Sequence, residues 1–252
     1  MLHIIGKEIS RFHAIYWPAM LWSAGYDAPS HLLVTGFFTV DGQKMSKSIG
    51  NTIDPVSYIE QYSKDQLLLY LLQAFPLGED GDFDRGEAIR MYNAKLANNI
   101  GNLLHRFTTL VSKFGGKITG EKSELDASSV TEKYLVSMEK YDLKNALQIV
   151  FHFADAINIY LAEQEPWKIR GEDSASRNRI EEILYTVGSG LRNVAIMLLP
   201  FFSEKMELLL SRIGSIPPPA STFQTLLDAQ VTEFRVTERG DPLYVRVEEK
   251  DT

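Results

Sequence analysis

The chain contains no cysteine. A disulfide framework, a thiolate zinc site and a cysteine nucleophile are thereby excluded. Histidine is scarce as well: His3, His13, His31, His105 and His152 are too scattered to propose a His-based metal site. No long apolar run is present. The longest, Leu67 to Phe75, is interrupted by Gln73 and falls far short of the ~20 residues that a bilayer crossing needs. The first residues carry Lys7, Glu8 and Arg11 where a secretion signal requires an apolar stretch, so a cytoplasmic location and no membrane partner are expected. Positive charge is in deficit too, with a formal net charge of −7. Binding of nucleic acid through bulk phosphate attraction is disfavoured; contact with RNA needs a local patch and specific groups.

What is present is an ordinary globular composition, 44% hydrophobic and 23% charged over 252 residues, enough for one large domain or two small ones. Residues 1–55 have mixed α/β character. The spacing of Ile9, Phe12, Ile15 and Tyr16 predicts a helix over 4–22, bent at Pro18. A strand is expected from Leu32 to Val40, then a turn at Asp41-Gly42 and a Lys/Ser loop bounded by Gly42 and Gly50. From Val56 onward the pattern is helical. Residues 66–75 are apolar nearly all round, as in a buried helix. Pro76, Gly78, Gly81 and the acidic run GEDGDFD read as a loop and a domain boundary. Helices are predicted over 85–114, 131–140, 143–162, 176–199 and 202–213, punctuated by Gly115-Gly116, Pro166 and Pro200. Pro217-Pro218-Pro219 reads as a stiff linker, and 243–247 alternates like a strand. The expected fold class is mostly α, an α/β piece followed by an antiparallel helical bundle.

One segment suggests chemistry. In Lys44-Met45-Ser46-Lys47-Ser48, two ammonium groups lie three residues apart on a Gly-bounded loop beyond a strand. They suit a triphosphate, offsetting the charge that builds as pyrophosphate leaves, and the two hydroxyls add donors. A mobile loop lets such contacts form late, where they lower the barrier. Spacing alone equally fits a solvated surface loop. Elsewhere, Ile9, His13 and Trp17 are spaced by four, as are Asn98, Asn102 and Arg106, so helices would put each set on one face.

KMSKS matches, letter for letter, the second signature of class I aminoacyl-tRNA synthetases. Its setting, GFFTVDGQKMSKSIGNTIDP, resembles the methionyl enzymes of that class. So do HIIGKEISRFHAIYWPAMLWSAG, FPLGEDGDFD, LANNIGNLLHR, EQEPWKIR and PLYVRVEE, in that order, so the resemblance covers essentially the whole chain.

The resemblance implies a methionine–tRNA ligase, with ATP, Mg2+ accompanying it, L-methionine and methionine tRNA as cofactors and partners, and no zinc site or C-terminal dimerisation domain in this chain. It implies a partial Rossmann-like catalytic portion over 1–85, a helical anticodon-binding domain over 86–214, and a linker and tail over 215–252 that packs back on the core. It assigns ATP contacts to Lys44, Met45, Ser46, Lys47 and Ser48, with Lys44 and Lys47 as the catalytic pair. Ile9, His13 and Trp17 become the methionine pocket, and Asn102, Arg106 and Trp167 the anticodon readers. Apolar and aromatic walls suit a thioether, while Asn, Arg and an exposed Trp are equipped to hold splayed RNA bases. Departures from the family pattern are Glu8 for Asp, Ile49 for Arg, Leu68 for Arg, and the absence of a His-x-Gly-His motif. With that motif missing, the expectation is a fragment matching the C-terminal half of the family's proteins. A non-catalytic tRNA anticodon-binding chain is the competing expectation.

Overall fold

The computed structural model describes residues 1–40, 42–46, 48–218, 221–237 and 240–248. It is mostly helical with few strands, and divides into two units: Met1–Ala88 with Asp142–Lys144, and Ile89–Tyr141 with Asn145–Thr252.

The first unit begins with strand β1 (Leu2–Gly6), where a helix was expected to start already at Ile4. Only beyond Gly6 does the chain coil, through a 3-10 turn (Lys7–Ile9), a π-helical turn (Phe12–Tyr16) and helix α1 (Trp17–Ser23). β1 pairs in parallel with β2 (His31–Thr35), running from Leu2↔His31 to Gly6↔Thr35. The single strand expected over 32–40 is therefore two. It breaks at Gly36, where an added Cβ would lie 1.9 Å from the Glu79 carbonyl oxygen, so the chain can pass only without a side chain. β3 (Phe38–Val40) then joins a different sheet, antiparallel to β4 (Gln43–Lys44) and parallel to β5 (Gly81–Asp82). The acidic run read as a loop thus contributes a strand. Helix α2 (Pro55–Gln61) starts at Asp54, whose carboxylate accepts from the Ser57 amide; α3 (Lys64–Gln73) starts at Ser63 in the same manner. Leu69 and Tyr70 of α3 are fully buried.

In the second part of the chain, the helix expected over 85–114 is α4 (Arg85–Tyr92), a wider π-helical stretch (Asn93–Gly101) and α5 (Asn102–Lys113). Further helices are α6 (Ser128–Glu139), α7 (Leu143–Gln164) and α8 (Ser174–Arg212). The two helices expected on either side of Pro200 are present: α8 is two helical segments joined across a kink just after the proline, at Phe202, with φ −130° and ψ 51°. The core of the second unit consists of stripes at helical spacing: Leu103, Phe107 and Val111 from α5, Leu147, Val150, Ala154, Ile157 and Leu161 from α7, and Leu184, Val187, Leu191, Val194 and Leu198 from α8, all fully buried.

Two short strands were not foreseen. β6 (Lys117–Thr119) pairs antiparallel with β7 (Glu233–Arg235), seating Phe234 beside the rings of Phe107 and Tyr185. Helix α9 (Phe223–Asp228) lies between the proline run, whose Pro219 falls outside the described residues, and β7. Residues 243–247 do not form the expected strand. The Asn93 side chain supplies both hydrogen bonds a neighbouring strand would give, donating to the Val247 carbonyl (2.7 Å) and accepting from its amide (3.0 Å). Among the described residues no helix is long and apolar enough to cross a membrane.

Gly188 faces two of these rings: an added Cβ would lie 2.7 Å from Phe234 Cδ2 and 3.0 Å from Phe107 Cζ. Gly188→Ala should therefore destabilise the second unit by ~1–3 kcal/mol through overpacking. Urea unfolding followed by circular dichroism measures this, and an unchanged midpoint contradicts the close approach.

Candidate functional site

Two clusters carry the expected chemistry, one on each unit. On the first unit, hairpin β3–β4 leads into the Lys/Ser loop. Lys47 lies outside the described residues, as does Asp41 of the turn. The remainder of the loop is shaped by Asn51. Its Oδ1 accepts from the Ser46 amide (2.8 Å) and its Nδ2 donates to the Lys44 carbonyl (3.3 Å), while the Ser46 and Ser48 hydroxyls meet at 2.8 Å. The Ser46 carbonyl accepts from the amides of Ile49 and Gly50, and Gly50 turns with φ 74°. The Lys44 ammonium lies 5.6 Å from the centre of the Phe37 ring.

The acids of the 78–84 segment brace this hairpin. Asp80 accepts from the Phe37 amide (2.8 Å) and from Lys7 Nζ (3.0 and 3.1 Å). Asp82 accepts from the Thr39 hydroxyl (2.6 Å) and the Gly42 amide (2.9 Å). Each carboxyl is held below the ordinary range. For Asp80 the first cause is the Phe37 amide and the second is Lys7; for Asp82 it is the Thr39 hydroxyl, then Gly42. Phe37, Asn51, Asp80 and Asp82 were not singled out from the sequence. The signal for the two acids was their alternation, Asp80-x-Asp82, which is strand periodicity.

Ile9, His13 and Trp17 lie on successive turns as the spacing requires, but each sits in a different kind of helix. The His13 ring reaches back to the Ile9 carbonyl through Nδ1 at 3.0 Å and packs edge-on against His3 at 5.9 Å. Ile9 and Trp17 are 42% and 40% exposed, so these walls stand open to solvent.

On the second unit the structure brings Arg106 and Trp167 together. The Arg106 guanidinium lies 5.4 Å from the centre of the Trp167 ring, and Asn102 is exposed one turn earlier on α5. Trp167 is presented by a strained turn. Glu165 takes the left-handed conformation (φ 43°, ψ 50°), rare for a residue with a side chain. Pro166 is buried, Lys168 pairs with Glu165 at 2.7 Å, and Trp167 is left 46% exposed. An exposed indole against a guanidinium, with an exposed amide side chain one turn earlier on α5, offers one π surface and several hydrogen-bonding groups to a planar base.

Depressed carboxyls contribute their restraint above the unfolded value and lose it as pH falls towards the folded one. The Phe37 and Gly42 amide protons, each bonded to such a carboxylate, should hold their NMR shifts from pH 7 to pH 5 and titrate only below 3.8. Titration at or above 3.8 contradicts the brace.

A family model described as tRNA synthetases class I (M) matches residues 1–108. Curated relatives include methionine–tRNA ligases of Brucella suis, 37% identical over 99% of this chain and 50% of that protein, and of Thermotoga maritima, 34% identical over 99% and 41%. Among solved structures, Mycobacterium tuberculosis methionyl-tRNA synthetase in complex with methionyl-adenylate is similar with a TM-score of 0.86 and 30% identity, covering 97% of this chain and 50% of that one. The chain spans about half the length of the curated relatives it matches.

Proposed function

This chain belongs to the methionyl-tRNA synthetase family, and we propose that it takes part in methionine–tRNA ligation. In that reaction ATP activates L-methionine as an adenylate, pyrophosphate leaves, and the methionyl group passes to the 3′ end of methionine tRNA. In this reading Lys44 and Lys47 offset the charge developing on the departing phosphates, and Ser46 and Ser48 donate to them beside Met45. Mg2+ would accompany ATP and offset part of its phosphate charge. Ile9, His13 and Trp17 wall the thioether of methionine. No side chain acts as nucleophile or general base, since adenylate formation relies on positioning and charge. Residues 1–85 form part of a Rossmann-like catalytic domain, 86–214 are the helical anticodon-binding domain, and 215–252 the tail that packs on it.

Asn102, Arg106 and Trp167 read the CAU anticodon. The observation that carries this reading is the Arg106–Trp167 contact, which joins a half-buried guanidinium to an exposed indole far away in the chain, at a strained turn. Burial explains neither the exposure of the indole nor the left-handed Glu165; a base stacking on the ring explains both.

A second reading, a non-catalytic chain that binds the anticodon, draws on the exposure of Ile9 and Trp17, because a thioether pocket needs walls on more than one side. Loss of methionine-dependent ATP–pyrophosphate exchange with tRNA binding retained selects that reading.

Base-on-aromatic stacking is worth ~1–3 kcal/mol. Trp167→Ala should therefore weaken binding of methionine tRNA about tenfold or more, with an unchanged melting temperature because the indole is exposed. Fluorescence titration of labelled tRNA against the full chain measures it; an unchanged Kd sinks the anticodon assignment.

A further inference from the structure

Lys7 and Lys44 share one aromatic ring. Their ammonium groups lie 5.7 and 5.6 Å from the centre of Phe37. Phe37 is itself held firmly: its amide donates to Asp80, and the preceding Gly36 packs against the backbone of Glu79 and Asp80. Lys44 is fixed at its other end, where its carbonyl accepts from Asn51. Among the described residues no carboxylate pairs with Lys44. Lys7 differs in that Asp80 takes its ammonium in a two-pronged pair, with both partners about half exposed at 48% and 50%. Exposed pairs of this kind contribute little net free energy and exchange readily for a stronger anion.

We propose that Lys7 is a further polyphosphate-binding cation, acting with Lys44 on the phosphates of ATP. This rests on the reading of residues 44–48 as an ATP loop. The Phe37 ring attracts both ammonium groups, which lie 5.7 and 5.6 Å from its centre. Asp80 holds Lys7 there as a placeholder. An incoming polyphosphate, with several negative charges on closely spaced oxygens, outcompetes one carboxylate and takes Lys7 from it. Lys7 reaches the ring from the end of β1, so its contribution does not depend on movement of the loop.

The test is isothermal titration of the full chain with inorganic tripolyphosphate at fixed low ionic strength. Lys7→Gln should weaken binding about fivefold, and Lys44→Gln by a similar factor. Lys133→Gln, on the exposed face of α6 in the second unit, should leave binding unchanged. Asp80→Asn keeps an acceptor for the Phe37 amide but removes the competing charge, and should strengthen binding about twofold to threefold. A merely structural Lys7–Asp80 pair predicts the opposite sign for Asp80→Asn. If Lys7→Gln does not fold, the wild-type chain with 13C-dimethylated lysines serves in its place: the Lys7 and Lys44 resonances should shift at the same tripolyphosphate concentration. Weakening by Lys44→Gln alone, or weaker binding by Asp80→Asn, overturns the proposal while leaving the loop reading intact. Unchanged binding in both lysine variants overturns the two together.

Discussion

Two positions on α8 without side chains govern how closely the second unit packs. At Gly188 the rings of Phe107 and Phe234 occupy the space a Cβ would need, and at Gly190 an added Cβ would come within 2.6 Å of Ile157 Cδ1. Phe107 belongs to α5, Ile157 to α7 and Phe234 to β7, so elements from across the unit are seated against one stretch of helix. The exposed chemistry inherits its geometry from that seating. Arg106 precedes buried Phe107, so the direction it leaves α5 is set by its neighbour's burial. At the end of α7, buried Leu161 anchors the last turns before the left-handed Glu165 presents Trp167. The guanidinium and the indole therefore meet because two cores residues away are locked in place.

The first unit works on a different principle. Its hairpin is organised less by apolar burial than by carboxylates and one amide: Asp82 on the two-residue strand β5, Asp80 just before it, and Asn51 in the loop. Such groups bind through directed hydrogen bonds to backbone amides, so they define position without requiring a thick core. The cost is sensitivity to acid, since each bond of this kind needs an ionised carboxyl.

Helical periodicity was read correctly wherever the core imposes it, as in the stripes of α5, α7 and α8. It misled at the chain's start, because Leu2–Gly6 is an apolar run too short to distinguish strand from helix without knowing its partner β2. The break at Gly36 and the strand at Gly81–Asp82 depend on each other and on residues more than 40 positions apart, a pairing no local pattern reveals. Pro200 was read as a stop, and the chain does leave helical geometry just beyond it, at Phe202, before a second helical segment follows. At the candidate sites, Lys44, Arg106 and Trp167 were visible as residues of the right type in a matching motif. Phe37 and Asn51, which contact Lys44, and Asp80, which holds Phe37, were not, because their roles come from contacts and not from composition.

The central claim is that the second unit reads the anticodon of methionine tRNA through Asn102, Arg106 and Trp167. It is tested most directly by competition on the full chain between two short RNA stem-loops, one displaying CAU and the other differing by a single anticodon base. A preference for CAU of about tenfold or more is expected; equal affinity for the two loops contradicts the account.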